Sequence, residues 1–317
     1  MSVGTGRGRG RRLSATLVAL VALVAGACTP ARPGAGATPG RQDDSVVVAS
    51  FNFSESEVLA EIFAQALATA GVPATHQRQV GPRELMEPAL EQGLVDVVPE
   101  YLGSALAYLD PASAGAGFDT EASRRRLADA LAGRGVTVLA PAPAQNQNGV
   151  AVTPATAELH GLSTVSDLAP VAAGLVFAGP PECRDRPFCL PGLRQTYGLE
   201  FQRFLVLDSG GRQTRAALDS GDADVGLLFT TDGHVAEGEF VLLEDDRSLQ
   251  PPENIVPLVR QAVLERWGEV VRTRLEAVTS ILTTEALAAL NAQTGIEGED
   301  PAVVAGRWLV EGGLVPG

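Results

Sequence analysis

Two hydrophobic periods alternate along this chain. Residues 46–48 are three consecutive Val, the pattern of a strand buried on both faces of a sheet. After a polar interval, Val58, Leu59, Ile62, Phe63, Ala66 and Leu67 recur with helical spacing, and Gly71 and Pro73 close the run. Ser54, with Glu57 three residues on, reads as a capping box, and Phe53 and Val58 hold the flanking staple positions. The unit is strand, loop and helix. A loop at the carboxyl end of a parallel strand is where open α/β folds take small ligands, and Asn52, Ser54 and Glu55 are the side chains placed there. The alternative reading leaves Ser54 and Glu57 as caps only.

The alternation continues. Strands are predicted over 76–80, 94–98, 136–139, 150–152, 175–178, 225–229, 240–243 and 254–258, with an element at 197–207 that ends in a further strand. Helices are predicted over 85–90, 121–131, 163–168, 213–218, 263–282, 284–291 and 301–311. This pace means βα units and a largely parallel sheet. The stretch PAPAQNQNG breaks the composition and marks a crossing into a second domain near Asn146. Residues 90–97 and 218–225 echo each other as helix end, glycine stop and buried strand. Each would lead its loop to the mouth of its own sheet, so two α/β lobes should face each other across a cleft.

Charge and cysteine usage refine the class. Arg7, Arg9, Arg11 and Arg12 precede an apolar run that ends in Ala25-Gly26-Ala27-Cys28, so residues 1–27 read as a signal peptide and Cys28 as a lipidation site. The pair Arg11-Arg12 also permits twin-arginine export. Residues 28–44, rich in Pro, Gly and Ala, read as a flexible tether. The formal charge is −14, and losing the leader's four Arg leaves about −18. Such acidity argues against nucleic acid and against adhesion to anionic lipid heads; the membrane is expected to be reached through the anchor alone. Cys183 and Cys189 lie in the Pro-rich loop PPECRDRPFCLPG and read as a local disulfide. A metal site is the rival reading, but His76, His160 and His234 are scattered singly and offer it no partners.

Several motifs then resemble one family, the substrate-binding proteins of osmoprotectant importers that take glycine betaine, carnitine and choline. Ser50-Phe51-Asn52-Phe53-Ser54-Glu55 resembles the family's opening S-K-N-F-T-E, and GLVDVVPEYLGSAL at 93–106 is similar to its G-x-x-D-x-x-P-E-Y-x-G-[ST]-A-L. Ser166-Asp167-Leu168, Pro181-Glu182 with Arg186, Tyr197-Gly198-Leu199, Thr230-Thr231-Asp232-Gly233, Leu243-Glu244-Asp245-Asp246 and Leu290-Asn291 keep its order. The resemblance covers about residues 45–314. It implies an α/β, two-lobed periplasmic-binding-protein fold of type II with the ligand cleft between lobes. Residues 45–146 and 239–317 would form lobe 1, and 147–238 lobe 2. It implies capture by hinge closure and delivery to a separate permease and ATPase, by a monomer anchored outside the cell membrane, without cofactor or metal.

In the family a quaternary ammonium head sits in a box of aromatic rings. Tyr101 carries over as one wall and Arg186 as the carboxylate partner; Arg83 stands as a second anion contact, and Ser104, Asn148, Phe229, Thr230, Thr231, Asp232 and Glu253 complete the candidate set. A solvated or helix-pairing charge is the alternative for either Arg. Phe51 replaces the motif Lys, Asn148 and Phe229 replace Tyr, and Glu253 stands where an aromatic is frequent. Only Tyr101 and Phe229 keep a ring, so a depleted box, weak binding of simple trimethylammonium compounds and a ligand richer in N–H or O–H groups are expected. An exported enzyme is the first rival function. Glu55, Glu100 and Asp232 could be named as its acid/base set, but no His stands beside a candidate Ser in a recognisable arrangement. A ligand-sensing or accessory lipoprotein of the same fold is the second.

Overall fold

A computed structural model describes residues 45–113 and 119–316 of the chain. The expected leader, the tether and lipidation at Cys28 lie outside them. The three-Val run becomes β1 (Val46–Phe51), and the apolar-periodic segment after it is α1 (Ser54–Thr69). There follow β2 (Ala74–Gly81), α2 (Arg83–Glu91), β3 (Val97–Tyr101), α3 (Leu102–Leu109), α4 (Thr120–Ala130) and β4 (Val136–Val138). The chain then builds β5 (Asn148–Val152), α5 (Pro154–His160), β6 (Val176–Gly179), α6 (Leu190–Tyr197), β7 (Arg203–Val206), α7 (Arg212–Ser220), β8 (Val225–Phe229), α8 (Gly233–Ala236) and β9 (Val241–Leu243). It returns as β10 (Ile255–Arg260) and ends in α9 (Gln261–Trp267), α10 (Glu269–Ile281), α11 (Thr284–Gly295) and α12 (Pro301–Glu311).

The strands form two sheets, ordered β2-β1-β3-β10-β4 and β7-β6-β8-β5-β9. Both are mixed where a largely parallel sheet was expected. In the first, β1 runs parallel to β2 and β3 while β10 opposes β3 and β4; in the second, β6 runs parallel to β7 and β8 while β5 opposes β8 and β9. The reversed strands are the two that arrive from the other lobe. Residue pattern reports burial, and a buried run reads alike in either direction.

Sheet pairing also moves one expected boundary. Val241 and Leu243 of β9 pair with Val152 and Val150 of β5, so the second lobe runs past residue 238 and the return crossing falls in the 250s. There the two crossing segments bind each other: Asn146 N–H donates to Glu253 O at 3.1 Å, and Ile255 N–H to Ala144 O at 3.1 Å.

The two echoing segments occupy equivalent places. Asp96 Oδ2 accepts from Val47 N–H at 2.9 Å ahead of β3, and Asp224 Oδ2 accepts from Val176 N–H at 2.8 Å ahead of β8. In each lobe this carboxylate replaces a ladder partner where the central strand has not yet begun. For that reason β3 starts three residues later than the predicted 94, and Leu94 is exposed.

Other expectations shift at helix ends. Phe53 is the N-cap of α1 and makes no side-chain cap bond; Ser54 is exposed, and Glu57 accepts instead from the Gln79 amide. The predicted helix over 263–282 is broken at Gly268, whose φ of 65° leaves the helical region. The core of the first lobe is built on α1, whose Val58, Leu59, Ile62, Phe63 and Leu67 are fully enclosed.

Candidate ligand-binding site

The carboxyl ends of the parallel strands of both sheets face a common cleft of about 410 Å³. Five aromatic side chains line it: Phe53, Tyr101 and Tyr108 from the first lobe, Phe188 and Phe229 from the second. Phe53 lies in the β1–α1 loop, Tyr101 ends β3 and Phe229 ends β8. The Phe53 ring centroid is 5.8 Å from Tyr101 and 5.2 Å from Phe229, both tilted, so rings of the two lobes meet. Polar groups share the wall: Arg83 and Glu84 at the start of α2, Ser104 in α3, Asn148 in β5, and Asp185 and Arg186 of the disulfide loop. Cys183 and Cys189 are bonded, and this closes the loop that presents Arg186 and Phe188.

A buried charge network lies against the first lobe's wall. Arg83 grips Glu100 with two bonds, Nε to Oε1 at 2.7 Å and Nη2 to Oε2 at 2.8 Å, and its guanidinium sits 5.5 Å from the Phe51 ring centroid. Burial works against the Arg83 cation, but Glu100 more than restores it. Glu87 is buried and accepts no hydrogen bond. Burial first, then the Glu100 carboxylate, raise its pKa to about 8, which favours the neutral form beside Glu100. Burial likewise pushes Glu253 up to about 7, although Ser104 N–H and Oγ–H both donate to it. Gly103 lets α3 come this close, because a Cβ there would stand 2.9 Å from Pro252 O.

Glu55 has a different task from the one expected. Its Oε1 accepts from Tyr101 Oη–H at 2.6 Å and Asn146 Nδ2 at 2.7 Å, and its Oε2 from Thr231 Oγ1–H at 2.5 Å and Asn291 Nδ2 at 2.6 Å. These donors come from β3, the first crossing, the β8–α8 loop and α11, so a single buried carboxylate ties both lobes together at the hinge. Burial and the neighbouring Glu55 raise the Tyr101 phenol well above its usual range. Tyr101 therefore offers the cleft a ring face, its hydroxyl being spent.

Of the residues proposed from sequence, Arg83, Tyr101, Ser104, Asn148, Arg186 and Phe229 line the main cleft. Asn52, Ser54, Glu55, Thr231 and Asp232 line a second compartment of about 320 Å³ that shares Phe53, Ser209 and Phe229 with the first. Thr230 braces the crossing, accepting from Gln147 N–H at 2.9 Å. Asp232 caps α8 and pairs with Arg215 at 3.1 Å. Glu253 is a correction: it is 2% exposed, bonded to Ser104, and absent from the cleft wall. The depleted aromatic box is another. Phe53, Tyr108 and Phe188 restore rings that matching single motif positions could not place, although Phe53 lay inside the opening motif.

The structure also assembles a hydrogen-bonded line that sequence reading missed. His76 Nδ1 meets Glu61 Oε1 at 2.9 Å and its Nε2 meets Ser50 Oγ at 2.9 Å. The order imitates a hydrolase triad, but Ser50 is fully buried and its Oγ accepts the Gln79 N–H. No substrate reaches it; the line fastens β1, β2 and α1 together.

Comparison with known proteins agrees with this geometry. The family described as the substrate binding domain of the ABC-type glycine betaine transport system matches residues 44–311. A glycine-betaine-binding protein of Pseudomonas aeruginosa is 31% identical over 279 residues, covering 85% of this chain and 88% of its own. The glycine betaine-binding protein YehZ of Escherichia coli is 27% identical over 269 residues, covering 82% of this chain and 88% of its own. A solved glycine betaine/carnitine/choline ABC transporter structure has a TM-score of 0.66 at 23% identity, covering 85% of this chain and 99% of that chain. That last likeness shows the fold, two lobes of the type II periplasmic-binding-protein class. The chain belongs to the substrate-binding domains of ABC-type glycine betaine transport systems.

Proposed function

We propose that this protein captures a methylated ammonium zwitterion of glycine betaine's chemistry between its lobes and hands it to an ABC permease and ATPase. The observation that carries the reading is the ring of Phe53, Tyr101, Tyr108, Phe188 and Phe229 around one cleft that also holds Arg186. A trimethylammonium head is poorly hydrated and is attracted to ring faces, while a guanidinium fork suits a carboxylate. Membership of the family makes the protein a solute-binding component acting outside the cytoplasm, and not an enzyme. Among the described residues no helix is long and apolar enough to cross a membrane. Attachment through lipid at Cys28, at the end of the apolar leader, is part of this proposal. We further propose that the protein works as a monomer whose lobes close on the ligand, since the cleft walls come from both.

A thermal-shift screen of the exported protein against glycine betaine, carnitine, choline and unmethylated amino acids tests the reading. A true ligand at a hundredfold over its Kd stabilises by about 2.7 kcal/mol. Stabilisation by unmethylated amino acids alone would sink the proposal. Phe229→Ala should weaken a betaine by about threefold to thirtyfold, the range expected for one lost cation–ring contact.

A further inference from the structure

Glu84 stands in the first turn of α2 on the first lobe, and Arg186 on the disulfide-closed loop of the second. Arg186 Nη2 nevertheless donates to Glu84 Oε2 at 3.0 Å, across the cleft that both line. Each keeps part of its side chain in water, 44% for Glu84 and 31% for Arg186. The place favours an anion. Partial burial opposes the Glu84 charge, but its own helical N–H and Arg186 outweigh that and hold its carboxyl below the usual range.

We infer that Glu84 competes with the ligand's carboxylate for Arg186, and so sets the preference of this cleft between carboxylate-bearing zwitterions and simple cations. The inference rests on the proposed binding of methylated ammonium compounds. A betaine carboxylate that bonds Arg186 must turn Glu84 out into solvent, which its exposure permits. A choline-like cation leaves the pair intact and gains from the negative charge in the wall. The same pair clamps the two lobes. An ion pair as exposed as this changes an equilibrium constant by up to about fivefold.

Calorimetric titration of Glu84→Gln in the exported protein with glycine betaine and with choline is the test. Glycine betaine should bind about threefold more tightly and choline no better, so the ratio of the two Kd values moves toward betaine by about threefold or more. The same substitution in an Arg186→Gln background should leave that ratio unchanged. A ratio that stays put in the single variant, or moves toward choline, overturns the inference. Small-angle scattering without ligand reads the clamp: Glu84→Gln should enlarge the radius of gyration, and an unchanged radius overturns that part. If neither compound binds the wild-type protein, the proposed ligand class fails and the competition with it, while scattering still decides the clamp. If both bind and Glu84→Gln alters neither the ratio nor the radius, the inference fails and the proposed function stands.

Discussion

The two lobes share one strand order and one carboxylate device, yet they hold their cleft faces by different means. The first lobe sets Arg83, Glu87, Glu100 and Glu253 against its wall, all buried, beside a continuous apolar core. The second divides its core into two clusters and carries Arg186 and Phe188 on a covalently closed loop, with Arg186 partly in water. One half is therefore fixed by buried polar groups, among which neither Arg83 nor Glu100 can move without leaving the other stranded. The other is fixed by a bond that leaves its side chains free to turn. The proposed recognition would draw on both, a wall of rings and a guanidinium that can change partner.

The sharpest way to break this contrast is Arg83→Gln. It strands the Glu100 carboxylate, which is 0% exposed, and should cost about 3–5 kcal/mol in urea denaturation. Arg186→Gln on the exposed pair should cost under about 1 kcal/mol, and equal losses at the two sites would erase the distinction.

A pH series sharpens it further. Glu253 has a folded pKa of about 7, above the 4.5 of an ordinary Glu. Between these values the folded state holds a proton on Glu253 that the unfolded state has lost, so the contribution of Glu253 to stability falls as pH rises from about 4.5 and levels off above about 7. The share of Glu253 in the loss should be on the order of 3 kcal/mol, and Glu253→Gln should remove that share while leaving the slope that Glu87, whose pKa is also raised, contributes. An identical pH dependence in the variant would remove Glu253 as its source.

The disulfide of the second lobe comes next, above the exposed Arg186 pair and below the two buried sites of the first. Replacing Cys183 and Cys189 by Ser should cost about 2 kcal/mol, because the loop they close is short. Denaturation midpoints of the oxidised wild type and the double variant measure it, and coincident midpoints would deny the bond a stabilising part.

Much of this architecture was legible before any coordinates. The Val46-Val47-Val48 run, the helical period from Val58 to Leu67 and the echo of residues 90–97 in 218–225 are local signals of burial, and local signals survive in sequence. The disulfide was legible for the same reason, its partners being six residues apart. Glu55 was not. Its donors Asn146, Thr231 and Asn291 lie 91, 176 and 236 residues away, and nothing in the sequence around Ser54-Glu55 announces them. The Arg83 to Glu100 grip was hidden likewise, since an Arg opening a helix reads as a surface charge until the fold encloses it. The strand reversal at β5 and β10 follows from the path of the chain between lobes, which periodicity does not record.

That path also sets an order of assembly. All five strands of the second sheet lie within residues 148–243, so that lobe can complete itself from one continuous stretch of emerging chain. The first sheet begins at residue 46 and lacks its fourth strand until residues 255–260 are available. Until then β3 shows an open edge, and β4 has nothing to pair with. The amino-terminal half of the molecule is thus the last to be finished, waiting on a strand made some two hundred residues later. A chain cut after residue 250 should keep its disulfide-bearing lobe and expose β3 to pairing with other chains.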